Sequence, residues 1–309
     1  MIPTALHADL RIERWSPATA KQRIAAAHAI VDAHGGALAL VRPAVGERGV
    51  PAFAHVASGV IFHLVPGGAF MMGMTDTELA TLQAAYSFFN DADAADGALG
   101  SSLLRPATEI DLPAYLLAAR PLGGTQLEWL LADAETRATM TQTKAGKAAW
   151  DYAAVVKLPA AKYLAYLDQS GSGEVENDQV APIEAALHGL GLRLPSEAEW
   201  ERAARGGDGR PFPHGTSIPR SPSTGENPFG FVDLSATCEV CADGAVASLE
   251  GIPNNGVARP ASEHRIVRGG AANCYPWQDC GEWALMACAH RGTMEQESGL
   301  LAIRPAMSL

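Results

Sequence analysis

Aromatic residues are scarce in this sequence, at 6% of 309 positions, and charged residues reach only 18%. Nowhere does it contain about 18 consecutive apolar residues, the length a membrane-crossing helix needs, so no helical span is expected. Lysine and arginine are also few: 23 of them face 34 aspartates and glutamates, and no basic block relieves the net charge of -11. Such a balance repels phosphate backbones and anionic lipid, so nucleic acid and membrane are not expected partners. The first residues lack a basic stretch followed by an apolar one, which leaves no secretory signal to read and makes the cytoplasm the expected compartment. The 5 cysteines all lie between Cys238 and Cys288. An odd number without an export signal predicts reduced thiols rather than a disulfide framework.

What the sequence does specify is concentrated in residues 192–207, Leu-Arg-Leu-Pro-Ser-Glu-Ala-Glu-Trp-Glu-Arg-Ala-Ala-Arg-Gly-Gly. Ser196 and Glu199 have the spacing of a capping box, in which each side chain satisfies the other residue's amide. Pro195 stops an earlier helix from running in. Glu197 and Glu199 complement the positive end of the helix dipole, Arg202 and Arg205 the negative end, and Gly206-Gly207 supplies a left-handed terminator. Trp200 is the one large apolar anchor among small alanines.

This stretch resembles the signature of the formylglycine-generating enzyme (sulfatase-modifying factor) family. Residues 65–73 (Val-Pro-Gly-Gly-Ala-Phe-Met-Met-Gly) resemble that family's opening hairpin, and residues 227–235 (Asn-Pro-Phe-Gly-Phe-Val-Asp-Leu-Ser) its middle motif. Residues 265–270 (Arg-Ile-Val-Arg-Gly-Gly) and 301–305 (Leu-Ala-Ile-Arg-Pro) resemble its closing elements, in the same order. The resemblance implies an α+β fold, the family's variant of the C-type lectin fold, low in regular secondary structure and spanning residues 53–309. Residues 1–52 are then an N-terminal cap or small extra layer, a helix followed by a strand. Relatives that make sulfur-containing histidine betaines carry a separate helical iron-binding domain. His28 and His34 do not share a helix face at the four-residue spacing that favours metal capture, and the segment is too short for such a domain, so that activity is excluded.

Along the chain, residues 60–65 and 69–73 read as strands of a hairpin turned at Pro66-Gly67-Gly68. Residues 78–88 read as a short helix, 90–100 as a surface loop, 115–120 as a strand, and 125–131 as a helix capped by Thr125 with Trp129 turned inward. An apolar stripe predicts a further helix over 160–167. Glu174, Glu176 and Asp178 alternate like calcium-loop ligands but lack the glycine and glutamate such a loop requires, so they are read as solvated.

Two regions carry residues able to do chemistry. Cys238 and Cys241 have the spacing of a redox pair or half a zinc site, against the simpler reading of buried thiols. The family resemblance assigns further roles. Asp233 and Glu239 occupy positions where relatives hold calcium, although the asparagine and two tryptophans that accompany the site are missing. Family enzymes bind Cu(I) between two cysteines to oxidise a substrate cysteine; Cys288 resembles the second ligand and Cys280 is the candidate for the first, with Arg291 orienting substrate. Soft thiolates suit Cu(I), but the spacing is too long and the substrate-holding Thr-Pro-Asp-Ser-Ser has no counterpart. The framework is thus kept while the pocket is altered. Proteins diversified by diversity-generating retroelements use the same fold to expose the segment corresponding to 271–298. On that model Asn273, Tyr275, Trp277, Trp283, Met286 and His290 form a surface for a protein or carbohydrate ligand, aromatics and methionine being enriched at interface centres. The expectation is therefore a non-catalytic binding module, with a copper-dependent oxidase that converts a peptide cysteine to formylglycine as the alternative.

Overall fold

A computed structural model describes residues 2–86, 92–142, 173–219, 225–262, 264–269, 282–294 and 301–309. Helices α1 (Thr4–Asp9), α2 (Ile12–Trp15) and α3 (Ala20–Ala33) precede strands β1 (Leu38–Val45), β2 (Val50–His55), β3 (Ile61–Val65) and β4 (Gly68–Met72). Then come α4 (Asp76–Tyr86), α5 (Ala92–Leu99), β5 (Thr108–Leu112), β6 (Tyr115–Ala118), α6 (Gly124–Leu131) and α7 (Ala134–Gln142). Helices α8 (Val180–Gly189) and α9 (Glu197–Ala204) lead to β7 (Cys238–Gly244), β8 (Arg265–Gly269), β9 (Arg291–Thr293), β10 (Leu301–Ala302) and β11 (Ala306–Ser308). This is the α+β composition expected. No helix among the described residues is long and apolar enough to cross a membrane.

A five-stranded antiparallel sheet runs β1-β2-β3-β6-β11, a four-stranded sheet runs β10-β7-β8-β9, and β4 pairs with β5 alone. Strands β2, β3 and β6 are buried at every residue and read as continuous apolar runs, as strands covered on both faces must. The boundary expected at residue 52 falls inside β2, and β1 extends the same sheet. Residues 38–52 are therefore part of the main sheet rather than an extra layer, and α3 packs against β1.

The strands expected on either side of Pro66-Gly67-Gly68 are present, but they do not pair with each other. β3 pairs with β2 and β6, whereas β4 turns away to β5. The separation is held open by Arg202, whose guanidinium donates to the carbonyls of Pro66 (2.9 Å) and Gly67 (2.7 Å). Residues 92–99, expected to be loop, form α5. Ala95 and Leu99 are buried beside Tyr86 and Trp283, and the Tyr86 hydroxyl donates to Asp96 (2.6 Å), so tertiary burial overrides a composition that reads as loop. At α6 the N-cap is Gly123 rather than Thr125, with the Gln126 side chain accepting from the Gly123 amide, while Trp129 is buried as expected. The helix expected over 160–167 lies outside the described residues.

His63 on β3 is fully buried, and its Nδ1 donates to the Phe229 carbonyl at 3.1 Å. Burial pushes its pKa from 6.5 down to about 3, the nearby Arg304 adding to the effect. The folded ring thus stays neutral where an unfolded histidine takes a proton. Stability from this group is complete above about pH 6.5 and declines as pH falls toward 3, by up to about 1.4 kcal/mol per pH unit. In urea melts between about pH 7 and about pH 4.5, the wild type should lose more stability than His63→Gln; parallel losses would show that the ring is not the source.

Candidate functional site

Helix α9 sits where the sheets meet, and all eight of its residues, Glu197 to Ala204, are buried. Its ends are as the sequence predicts. Ser196 Oγ accepts from the Glu199 amide (3.2 Å), Glu199 accepts from the Ser196 amide (2.8 Å), and Gly206 takes a left-handed φ of 60°. Asn227 closes the last turn, donating to the Ala203 carbonyl at 2.7 Å while its Oδ1 accepts from the amides of Phe229 and Phe231.

The charges of α9 do more than complement a dipole. Glu197 pairs with Arg268 (2.8 Å), Arg291 (2.9 Å) and Arg259, and its own amide donates to Asp243 (2.6 Å). Burial alone would raise the Glu197 carboxyl, but the three guanidinium groups outweigh it and hold it below the usual carboxylate range. Glu201 accepts from Arg205 (2.8 Å), Arg268 (2.9 Å) and the Gly73 amide (2.8 Å), and Arg205 also meets Glu78 at 3.0 Å. Glu239 on β7 accepts from Trp200 Nε1 and Arg304 Nε, both at 2.7 Å. Arg205, Arg259, Arg268 and Arg291 are balanced by Glu78, Glu197, Glu201 and Asp243 in one buried network.

This network absorbs several expected site residues. Arg291, expected to orient a substrate, is 2% exposed, and besides Glu197 it donates to the Leu103 carbonyl at 3.0 Å. Cys288 is fully buried, its amide donates to the Pro211 carbonyl at 2.7 Å, and burial pushes its thiol well above the usual range. Trp283 and Met286 are not surface residues: at 4% and 2% exposure they lie in a second core cluster with Tyr86, Leu82 and Phe212. The short helical turn Glu282–Met286 packs against α5, which places both side chains inward. His290 is half-buried, with its carbonyl accepting from Arg268 at 3.0 Å. Asn273, Tyr275, Trp277 and Cys280 lie outside the described residues.

The other candidates are resolved by strand geometry. Cys238 and Cys241 both belong to β7, where residues three apart point to opposite faces and lie about 10 Å apart, beyond the reach of a disulfide. Both are buried thiols outside any disulfide, and burial pushes that of Cys241 up. Both Glu239 oxygens are engaged by Arg304, with Trp200 and Thr237 completing the shell, so this carboxylate is a partner of arginine rather than an open calcium ligand. Asp233 takes a left-handed φ of 63° and lies 3.9 Å from Arg120. Among the described residues no group of three His, Cys, Asp or Glu side chains is placed to hold a metal ion.

One opening was not anticipated from the sequence. A groove of about 630 Å³ lies between β4, α4 and the loop after α9, with Ile12, Phe70, Met71, Leu82, Arg202 and Arg205 among its lining. Its residues come from segments more than a hundred positions apart, and the signal that might have marked it, the exposed Met71 on an otherwise apolar strand, is too common on surfaces to stand out.

Comparison with known proteins agrees with this architecture. Of the solved structures, PvdO from Pseudomonas aeruginosa is similar over 84% of this chain and 98% of its own, at 18% identity and a TM-score of 0.53, a likeness of fold. Variable protein 1 of Treponema denticola matches over 81% of this chain and 96% of its own, at 15% identity and a TM-score of 0.43. No curated protein matches the sequence. A family model described as the sulfatase-modifying factor enzyme 1-like domain matches residues 54–231, more than half of the chain. The chain therefore belongs to the sulfatase-modifying factor enzyme 1-like family.

Proposed function

We propose that this chain is a non-catalytic binding module built on that scaffold, presenting the loops between residues 271 and 298 to a protein or carbohydrate ligand. The observation that carries the reading is the commitment of Arg291 and Cys288 to the interior. On the family resemblance, oxidation of a peptide cysteine would use cysteine thiolates to hold Cu(I) and Arg291 to orient the substrate. Here the Cys288 thiol is fully buried and the Arg291 guanidinium is bound to Glu197. The attachment of the loops supports the same reading. Arg268 pairs with Arg291 where β8 ends and β9 begins, so the chain leaves β8 and enters β9 at one end of the sheet. With Trp283 and Met286 assigned to the core, the surface we propose is left to Asn273, Tyr275 and Trp277, together with the half-buried His290.

Anaerobic titration with Cu(I), followed by mass spectrometry of a cysteine-containing peptide incubated with the loaded protein and oxygen, tests this. We expect no stoichiometric copper and no aldehyde product. One equivalent of Cu(I) bound by the wild type and lost in Cys280→Ser, which leaves the buried Cys288 in place, would overturn it if the aldehyde also formed.

A further inference from the structure

The outer edge of β4 is unfilled over a short window. Across the β4–β5 ladder, Ala69 faces Asp111 and Met71 faces Glu109. The Asp111 amide donates away from β4, to the Asn254 carbonyl at 2.8 Å, which makes Ala69–Asp111 a non-hydrogen-bonded pair. The alternation then gives Met71–Glu109 the same character, so the backbone groups of Ala69 and Met71 point to the free edge. The flanking positions of the same parity are satisfied. Gly67 donates to the Leu10 carbonyl (3.0 Å) and accepts from the Ile12 amide (2.9 Å), and Gly73 donates to Glu201 (2.8 Å). The Ala69 carbonyl accepts from Arg202 at 3.4 Å. What remains is the Ala69 amide and both backbone groups of Met71, for which the described residues show no partner.

These groups border the groove described above, and both residues are exposed, Met71 at 41%. The chain itself makes the first rung of a pairing along this edge. Arg11 forms a parallel bridge with Gly67, after which α2 begins and the strand is not continued. Arg202 lines the groove with no described carboxylate in direct contact, although Glu78 and Asp208 also line it. Arg202 is 2% exposed, lies over the Phe70 ring (5.7 Å), and among the described residues bonds to the carbonyls of Pro66, Gly67 and Ala69. Among the described residues no carboxylate lies within 4.0 Å of it, Glu13 and Asp111 acting on it from further off, whereas Arg205 beside it is paired with Glu201 and Glu78. A guanidinium hydrogen-bonded to neutral carbonyls, with its nearest carboxylates beyond contact, can still take a carboxylate directly.

We propose that this groove binds a short extended peptide that adds to the edge of β4 through Ala69 and Met71 and places an acidic side chain near Arg202. Main-chain pairing provides the affinity and the carboxylate the selectivity, the division seen generally when a strand is added to a sheet edge. The site is independent of the loops between 271 and 298 and holds whether or not they bind a ligand.

The test is amide NMR of the full chain, labelled with nitrogen-15 at alanine and methionine and titrated with the capped peptide acetyl-Thr-Val-Glu-Val-Thr-amide. The Ala69 and Met71 signals should shift, and replacing the peptide's glutamate by glutamine should weaken binding about tenfold, the value of one charge-assisted hydrogen bond. Met71→Pro removes the outward amide without taking a hydrogen bond from the β4–β5 ladder, and edge positions of this kind tolerate proline. That variant should keep its fold, read from the remaining amide signals, and lose peptide binding. Equal binding by Met71→Pro, shifts confined to other residues, no shift at millimolar peptide, or Ala69 and Met71 signals that move with protein concentration alone, as a second copy on the edge would cause, would each overturn the proposal.

Discussion

Glu197→Gln should cost about 3–5 kcal/mol of folding stability, a large share of the roughly 5–15 kcal/mol that holds a typical domain folded. The side chain is fully buried and meets three guanidinium groups, from Arg259, Arg268 and Arg291. Glutamine preserves the shape and removes the charge, so the loss measures three buried cations stripped of their shared carboxylate rather than a cavity. The network predicts a gradient as well. Arg259 is the most exposed of the three, its side chain at 12%, and it also reaches Asp243 at 3.3 Å. Arg259→Gln should therefore cost only about 1 kcal/mol, since water can reach the vacated position and Glu197 keeps two partners. Urea denaturation of both variants decides this. Equal losses, or a Glu197→Gln protein as stable as the wild type, would show that the carboxylate is not the centre of the cluster.

The second large effect is expected at Trp200. Its ring is 1% exposed, its Nε1 donates to Glu239 at 2.7 Å, and the Arg268 guanidinium lies 5.9 Å from its centroid. Trp200→Ala removes the anchor of α9 and should cost about 3–5 kcal/mol. Trp200→Phe keeps most of the ring and loses only the donor to a charged acceptor, a loss of about 1.5–3 kcal/mol. Glu239 retains Arg304 and Thr237 in that variant, which keeps the loss from growing. Denaturation midpoints of the two variants separate packing from hydrogen bonding. Nearly equal values would mean that the bond to Glu239, not the volume of the ring, is what Trp200 supplies. Neither change should alter whatever binds at the edge of β4, because Trp200 does not line that groove.

Much of the scaffold was legible because its signals are local. A capping box involves residues three apart, a left-handed terminator is a single glycine, and a buried strand announces itself by an apolar run. Hence the ends of α9, the strands β3, β4 and β6, and the inward Trp129 follow from short windows of sequence. The thiols of Cys238 and Cys241 could be read as buried from composition, but only their place on one strand shows that they face opposite ways. The candidate site was less legible. Trp283 and Met286 have the composition of an interface centre and the burial of a core, and the difference is made by α5, a helix that the sequence presents as loop.

By itself, then, the sequence determined where α9 begins and ends, which residues form the principal strands, and that the chain has the motifs of its family, all matters of neighbours a few positions apart. Tertiary structure alone decided which strands pair and what the charges of α9 do. Glu197 meets Arg291 across 94 positions, Glu239 meets Arg304 across 65, and Arg202 reaches back 136 positions to hold the turn after β3 open. A carboxylate near a helix start and an arginine near its end are written identically whether they face solvent or one another. Their meaning depends on the local dielectric and on partners brought close by the fold, and neither is encoded in the residues beside them.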